Sequence, residues 1–128
     1  MGAKGDLTRK MLDAFFNEGM DAASTYFSSD VIANVPGRNQ VSGRHEGREA
    51  LLALGKKREE LTDGTFKAEL NGVTESEEHA CALFFVTGVR DGKELSYRQV
   101  NVYHFEGDKI SELFMYPFEH DLADELFA

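Results

Sequence analysis

The chain has 128 residues, 41% of them hydrophobic and 29% charged, a composition that fits one globular domain and excludes a disordered segment. Fourteen lysines and arginines against 23 aspartates and glutamates leave a net charge of −9, which repels phosphate backbones and anionic membrane surfaces. The single cysteine, Cys81, excludes an internal disulfide and multi-cysteine zinc sites.

From Leu7 to Glu18 the residues Leu7, Met11, Ala14 and Phe15 recur at helical spacing, Leu12 and Phe16 widen the stripe, and Gly19 ends it. A second short helix is expected over Asp21–Phe27, with Ala22, Ala23, Tyr26 and Phe27 as its apolar residues. Val31–Val35 reads as a short strand stopped by the turn pair Pro36-Gly37, and polar Arg38–Glu46 reads as a loop. Gly47–Leu61 is a third helix. It carries Ala50, Leu51, Leu54 and Leu61 on one side, with Lys56, Lys57 and Arg58 expected outside.

Beyond Thr62-Asp63-Gly64 the period changes to two. Phe66, Ala68 and Leu70 alternate with Lys67 and Glu69 as a strand with one wet face, and Glu75–Glu78 is a polar turn. Ala80–Arg90 is a long strand, apolar on both faces. Asp91-Gly92 signals a two-residue hairpin, since a type I′ turn needs positive φ at both central positions. Glu94–Phe105 is the partner strand, Glu106-Gly107-Asp108 turns again into Lys109–Pro117, and Asp121–Phe127 is a short helix with Asp121 as its N-cap. Helices first and long antiparallel strands afterwards place the chain in the α+β class, as one domain over residues 1–128. No apolar run approaches the roughly 18–20 residues that span a bilayer. Met1–Arg9 lacks the apolar segment of a signal peptide, and an unpaired thiol suits a reducing compartment, so a cytoplasmic protein is expected.

Four stretches carry a family likeness: Val35-Pro36-Gly37, the run Ser42 to Ala50 (SGRHEGREA), Arg90-Asp91-Gly92, and Val102 to Glu112 (VYHFEGDKISE). Together with the element order, they resemble the NTF2-like superfamily, and within it the SnoaL-like and ketosteroid-isomerase-like small proteins. The resemblance implies a curved antiparallel sheet curled into a cone and closed by about three N-terminal helices. It further implies a hollow for a small, mostly apolar ligand, and a homodimer through the outer sheet face. This fold hosts many unrelated activities, so the reaction has to be argued from the residues.

The Asp91-Gly92 hairpin sets a register that pairs Arg90 with Lys93, Val86 with Tyr97, Phe84 with Gln99 and Ala82 with Asn101. These residues share one face, which Tyr103 continues. Leu83, Phe85, Thr87, Ser96, Arg98, Val100, Val102 and His104 share the other, and that face is too apolar to stay wet, so a homodimer is expected. Leu113, Met115 and Pro117 join the first face if Glu106–Asp108 is a three-residue turn, and a two-residue turn reverses them. The resemblance puts the first face inside the cone. Its ligand wall is then expected to include Met11, Phe15, Tyr26, Asn34, Val35, Phe84, Val86, Tyr97, Tyr103, Leu113, Met115 and His120.

Ketosteroid isomerases hold a protonated Asp at the position matching Asn101, a general-base Asp at that of Val35, and a tyrosine at that of Met11. Their mechanism therefore does not transfer. SnoaL-type cyclases carry a Gln-x-His pair where this chain has Gln99-x-Asn101, and an Asp near the end of the fold for which Asp121 is the counterpart. The candidate catalytic set is Asn101, Gln99 and Asp121. A buried amide needs a partner, so Gln99 and Asn101 meet either a ligand, water or each other. His79 and His104 show no metal-ligand spacing and no Gly-rich phosphate loop follows a strand, so neither metal nor organic cofactor is expected. The function expected is a cofactor-free isomerase, cyclase or dehydratase acting on an apolar carbonyl compound. The alternatives are a binding or carrier protein for an apolar ligand, and a dimeric interaction module with a collapsed cone.

Overall fold

The first apolar stripe folds as α1, Ala3–Glu18, in a computed structural model that describes residues 2–128; Met1, where the stretch read for a leader begins, lies outside them. The helix starts earlier than its hydrophobic period. Thr8 is fully buried beside Met11 and Leu12 because its hydroxyl donates back to the Lys4 carbonyl at 2.8 Å. At its N-terminus the Glu75 carboxylate accepts from the Gly2 and Gly5 backbone N–H groups, an anion where the helix dipole favours one.

The second helix is shorter than its pattern. α2 covers Met20–Ala23 and passes into a 3₁₀ turn, Ser24–Tyr26. Ser24 and Thr25 donate their hydroxyls to the Asp21 and Ala22 carbonyls, and Phe27 already belongs to strand β1, Phe27–Val35. The stretch expected as a loop contains β2, Gly43–Glu46, paired antiparallel with β1. As a short edge strand it is mostly exposed, so its sequence shows no apolar alternation. Then come α3 (Arg48–Leu61), β3 (Lys67–Glu75), β4 (His79–Arg90), β5 (Lys93–Glu106), β6 (Lys109–Pro117) and α4 (His120–Leu126).

The six strands form one curved, unclosed sheet in the order β2-β1-β6-β5-β4-β3, with β1 and β6 parallel. This is the α+β architecture expected from the element order. Asp91 (φ 52°) and Gly92 (φ 80°) make the two-residue turn, and the pairs Val86–Tyr97, Phe84–Gln99 and Ala82–Asn101 form as the hairpin requires.

The next turn is also a two-residue one, Glu106 opposite Lys109, which alone would turn Leu113 and Met115 outward. A one-residue slip follows at once. His104 faces Glu112 while Phe105 faces Ile110, so Ser111 is the extra residue of a bulge and donates its hydroxyl to the His104 carbonyl. Leu113, Met115 and Pro117 therefore end on the inner face, opposite Tyr103, Asn101 and Gln99.

Buried side chains fill the concave side of the sheet under α1 and α3, whereas Leu83, Phe85 and Tyr116 stand about two-fifths exposed on the convex side at 41%, 39% and 43%. Among the described residues no helix is long and apolar enough to cross a membrane.

Candidate functional site

Alternate residues of a strand project to one face, so positions 99, 101 and 103 of β5 stack in a row along the inner wall. Gln99 Nε2 donates to Asn101 Oδ1 at 2.8 Å, and Asn101 Nδ2 donates to the Tyr103 hydroxyl oxygen at 3.2 Å. Gln99 and Asn101 are 9% and 8% exposed, so the row is enclosed. Of the partners open to these amides, each other is one. The relay leaves the Tyr103 O–H proton without a protein acceptor among the described residues, free to be donated to a guest oxygen.

The row faces a hollow of about 60 Å³, walled also by Met11, Phe15, Phe84, Val86, Leu113 and Met115. A water needs roughly 10–15 Å³ of such space, so the hollow takes a few waters or a small ligand head. A recess of about 20 Å³ continues past Gln99 and Met115 to Tyr97 and Val35. On the opposite side an open groove of about 720 Å³ between α2 and α3 shares Phe15, Met20, Arg58 and Phe66 with the hollow.

Arg58 does not point outside, as expected from its neighbours Lys56 and Lys57. It borders the hollow, the recess and the groove alike. The spacing Leu51, Leu54, Arg58 explains the correction: steps of three and four put Arg58 on the same buried stripe as the two leucines. Its guanidinium lies 4.8 Å over the Phe66 ring centroid and 3.7 Å from the Met115 sulfur, and its buried Nε has no hydrogen-bond partner. Burial pulls its pKa below the ordinary arginine value, with Tyr97, Tyr103 and Glu59 pulling it back up.

Burial pushes Tyr97 up to about 12, opposed by Arg58. It pushes Tyr103 up to about 12 as well, opposed by the Asn101 hydrogen bond and by Arg58. Both phenols are therefore neutral donors at neutral pH and not bases. An unfolded tyrosine ionises near pH ~10, so the unfolded chain loses these protons first. The stability they confer is whole below about pH 10 and drains away towards about pH 12. Stability is expected to fall by up to about 2–3 kcal/mol per tyrosine over that range, read as a falling melting temperature. Tyr97→Phe with Tyr103→Phe should flatten the fall; an unaltered alkaline slope would mean that the two phenols titrate normally.

The structure gathers Met11, Phe15, Phe84, Val86, Gln99, Asn101, Tyr103, Leu113 and Met115 around the hollow, and sets Val35 and Tyr97 in the adjoining recess. It does not bring the remaining candidates there. Asn34 donates to the Glu112 carboxylate (3.0 Å) and the Leu113 carbonyl (3.2 Å) where β1 meets β6, and Tyr26 packs against the core from the 3₁₀ turn. His120 and Asp121 are exposed in the first turn of α4. Asp121 is not the N-cap either. Glu119 holds that position without a side-chain cap, its carboxylate being taken up instead by the Arg98 backbone N–H (3.0 Å) and Nε (2.9 Å), which together hold it below the usual carboxylate range. No Asp or Glu lines the hollow or the recess among the described residues.

On the convex side, the pairing that joins Arg90 to Lys93 also sets His79 opposite His104. Their ring nitrogens come to 3.2 Å and the Glu78 carboxylate completes a group within 4.8 Å, so these residues do meet, contrary to what their separation in the chain indicates. They lie across the sheet from the hollow.

Solved structures share this fold over nearly the whole chain. Bal32a, from a soil-derived mobile gene cassette, is 26% identical, with a TM-score of 0.91 over 98% of this chain and 97% of that one. A protein of unknown function with cystatin-like fold from Xanthomonas campestris is 22% identical, with a TM-score of 0.90 over 100% and 99%. TerC, co-crystallised with polyporic acid, is 8% identical, with a TM-score of 0.83 over 99% and 100%. Among curated proteins no sequence matches. Residues 8–113 match the SnoaL-like domain, and with most of its length inside that match the chain belongs to the SnoaL-like domain family.

Proposed function

We propose that the chain takes a small, largely apolar compound into the hollow and polarises a carbonyl or related oxygen of that compound with the Gln99–Asn101–Tyr103 row. The observation that carries the reading is the free Tyr103 O–H at the end of a buried amide relay, set in an apolar wall. Preorganised donors aimed at an oxygen that gains negative charge are the usual means of stabilising an enolate or oxyanion. A cofactor-free isomerisation, cyclisation or dehydration through such an intermediate is the chemistry these groups serve. TerC, of the same fold, was co-crystallised with polyporic acid, which supports a small-molecule occupant.

One observation favours a second reading. General acid–base catalysis needs a group that titrates near the working pH, and the polar groups of the hollow and its recess are amides, two high-pKa phenols and an arginine. A carrier for the same kind of ligand needs no such group. A cytoplasmic location and a homodimer through the convex sheet face belong to the same proposal, the latter supported by the exposed Leu83, Phe85 and Tyr116.

The test is a panel of small cyclic ketones and aromatic carbonyl compounds read by thermal shift and by NMR for product. A binder at 100 times its Kd stabilises the fold by about 2.7 kcal/mol. Product formation selects the enzyme, and stabilisation without product selects the carrier. A panel that stabilises nothing counts against both.

A further inference from the structure

We infer that the ligand of this site is an anion, carrying a carboxylate or the oxyanion of an acidic enol, and that Arg58 binds that group where the hollow opens to the groove. The inference rests on the reading of the hollow as a small-molecule site and names the class of compound it takes.

Of the other six arginines Arg9 and Arg38 stand exposed, and the remaining four have oxygen partners. Arg44 and Arg98 pair with Glu46 and Glu119, Arg48 donates to the Phe27 carbonyl, and Arg90 donates to the Leu61 carbonyl at 2.8 Å. Arg58 alone of this set has only a thioether and an aromatic ring beside it, with its Nε sealed from solvent and unbonded. A guanidinium offers five N–H donors in a planar fork that fits two oxygens of one anion side by side. A part-buried guanidinium with no hydrogen-bonded counter-ion weakens a fold, and an apolar residue on this stripe of α3 would pack without that penalty. The arrangement makes sense if the counter-ion arrives with the ligand.

Two further features fit. Phe15, Met20 and Phe66 line both groove and hollow around Arg58, so an apolar body has walls on either side of the charged contact. Tyr97 and Tyr103 are neutral at physiological pH, so the carboxylates that compete with a bound anion for Arg58 are Glu59 and Asp21 in the groove, while among the described residues no carboxylate lines the hollow side. The polar row beyond Arg58 then meets a second oxygen of the same molecule, as in a keto acid or an enolised diketone.

The experiment compares matched probes on the whole chain by thermal shift and NMR titration: benzoate, its neutral analogue benzamide, and the acidic cyclic 1,3-diketone dimedone. Wild type should bind at least one of the two anions about tenfold or more tighter than benzamide. Benzoate preferred alone identifies a carboxylate ligand, and dimedone preferred alone identifies an acidic enol. Arg58→Met, close in length and apolar, should erase the preference, keep benzamide binding, and melt no lower than wild type. Arg58→Lys should keep part of the preference. Equal binding of anion and neutral probe by wild type, or an anion preference that survives Arg58→Met, overturns the inference and leaves the proposed function standing. Failure of every probe to bind wild type overturns both. Should Arg58→Met fail to fold, the wild-type ratio of benzoate and dimedone to benzamide decides.

Discussion

Changing Gln99→Leu and Asn101→Leu together should give a higher melting temperature than Asn101→Leu alone, with only the Tyr103 hydroxyl left without its donor, while abolishing ligand retention or turnover. The two amides are each other's partners: Gln99 donates to Asn101 in an otherwise apolar wall, and both leave together in the double variant. Removing both sides of a buried polar contact can be nearly neutral, whereas removing one orphans the other at about 1–3 kcal/mol. Asn101→Leu alone should therefore cost about that much, since it strands the Gln99 amide and also takes a donor from Tyr103. A double variant less stable than the single one would show that the amides serve the fold. A stable double variant with ligand retention intact would remove them from the site.

Light scattering at micromolar concentration should report twice the chain's 14.3 kDa, and Leu83→Lys should halve the measured mass. Leu83 stands on the convex face between Gly72 and Val100, 41% exposed, with Phe85 and Tyr116 on the same side of the sheet. Contiguous apolar patches above a few hundred Å² mark interfaces. A lysine there keeps its charged end in solvent on the convex face, so the variant should fold and bind ligand as a monomer. Arg98→Glu is a poorer probe, because it would set a second carboxylate against Glu119 at the start of α4. A wild-type mass of one chain would refute the dimer.

What was legible in the sequence followed from local geometry. Asp91-Gly92 admits one turn type, the turn sets the β4–β5 register, and the register places Gln99, Asn101 and Tyr103 on the inner wall. The same register also contained the meeting of His79 with His104, hidden only by their distance along the chain. Leu113 and Met115 reached the expected face by another route, a short turn whose reversal the Ser111 bulge cancels; a bulge leaves no mark in apolar alternation. β2 was invisible because an exposed edge strand has no buried side to alternate with. Arg58 was misplaced because residue type outweighed position: a charge beside two lysines reads as surface, although its spacing from Leu51 and Leu54 put it on the buried stripe. Asp121 and His120 were drawn in by their chemistry alone, and α4 holds them in solvent.

The most direct test of the hollow as a ligand site reads the side-chain amide signals of Gln99 and Asn101 by ¹⁵N–¹H NMR, assigned by their loss in the leucine variants, during titration with a compound that raises the melting temperature. Both pairs of signals should shift and saturate with the Kd that the thermal shift gives. A saturating, stabilising compound that leaves both amides unmoved, and perturbs only residues outside the hollow, would contradict the account.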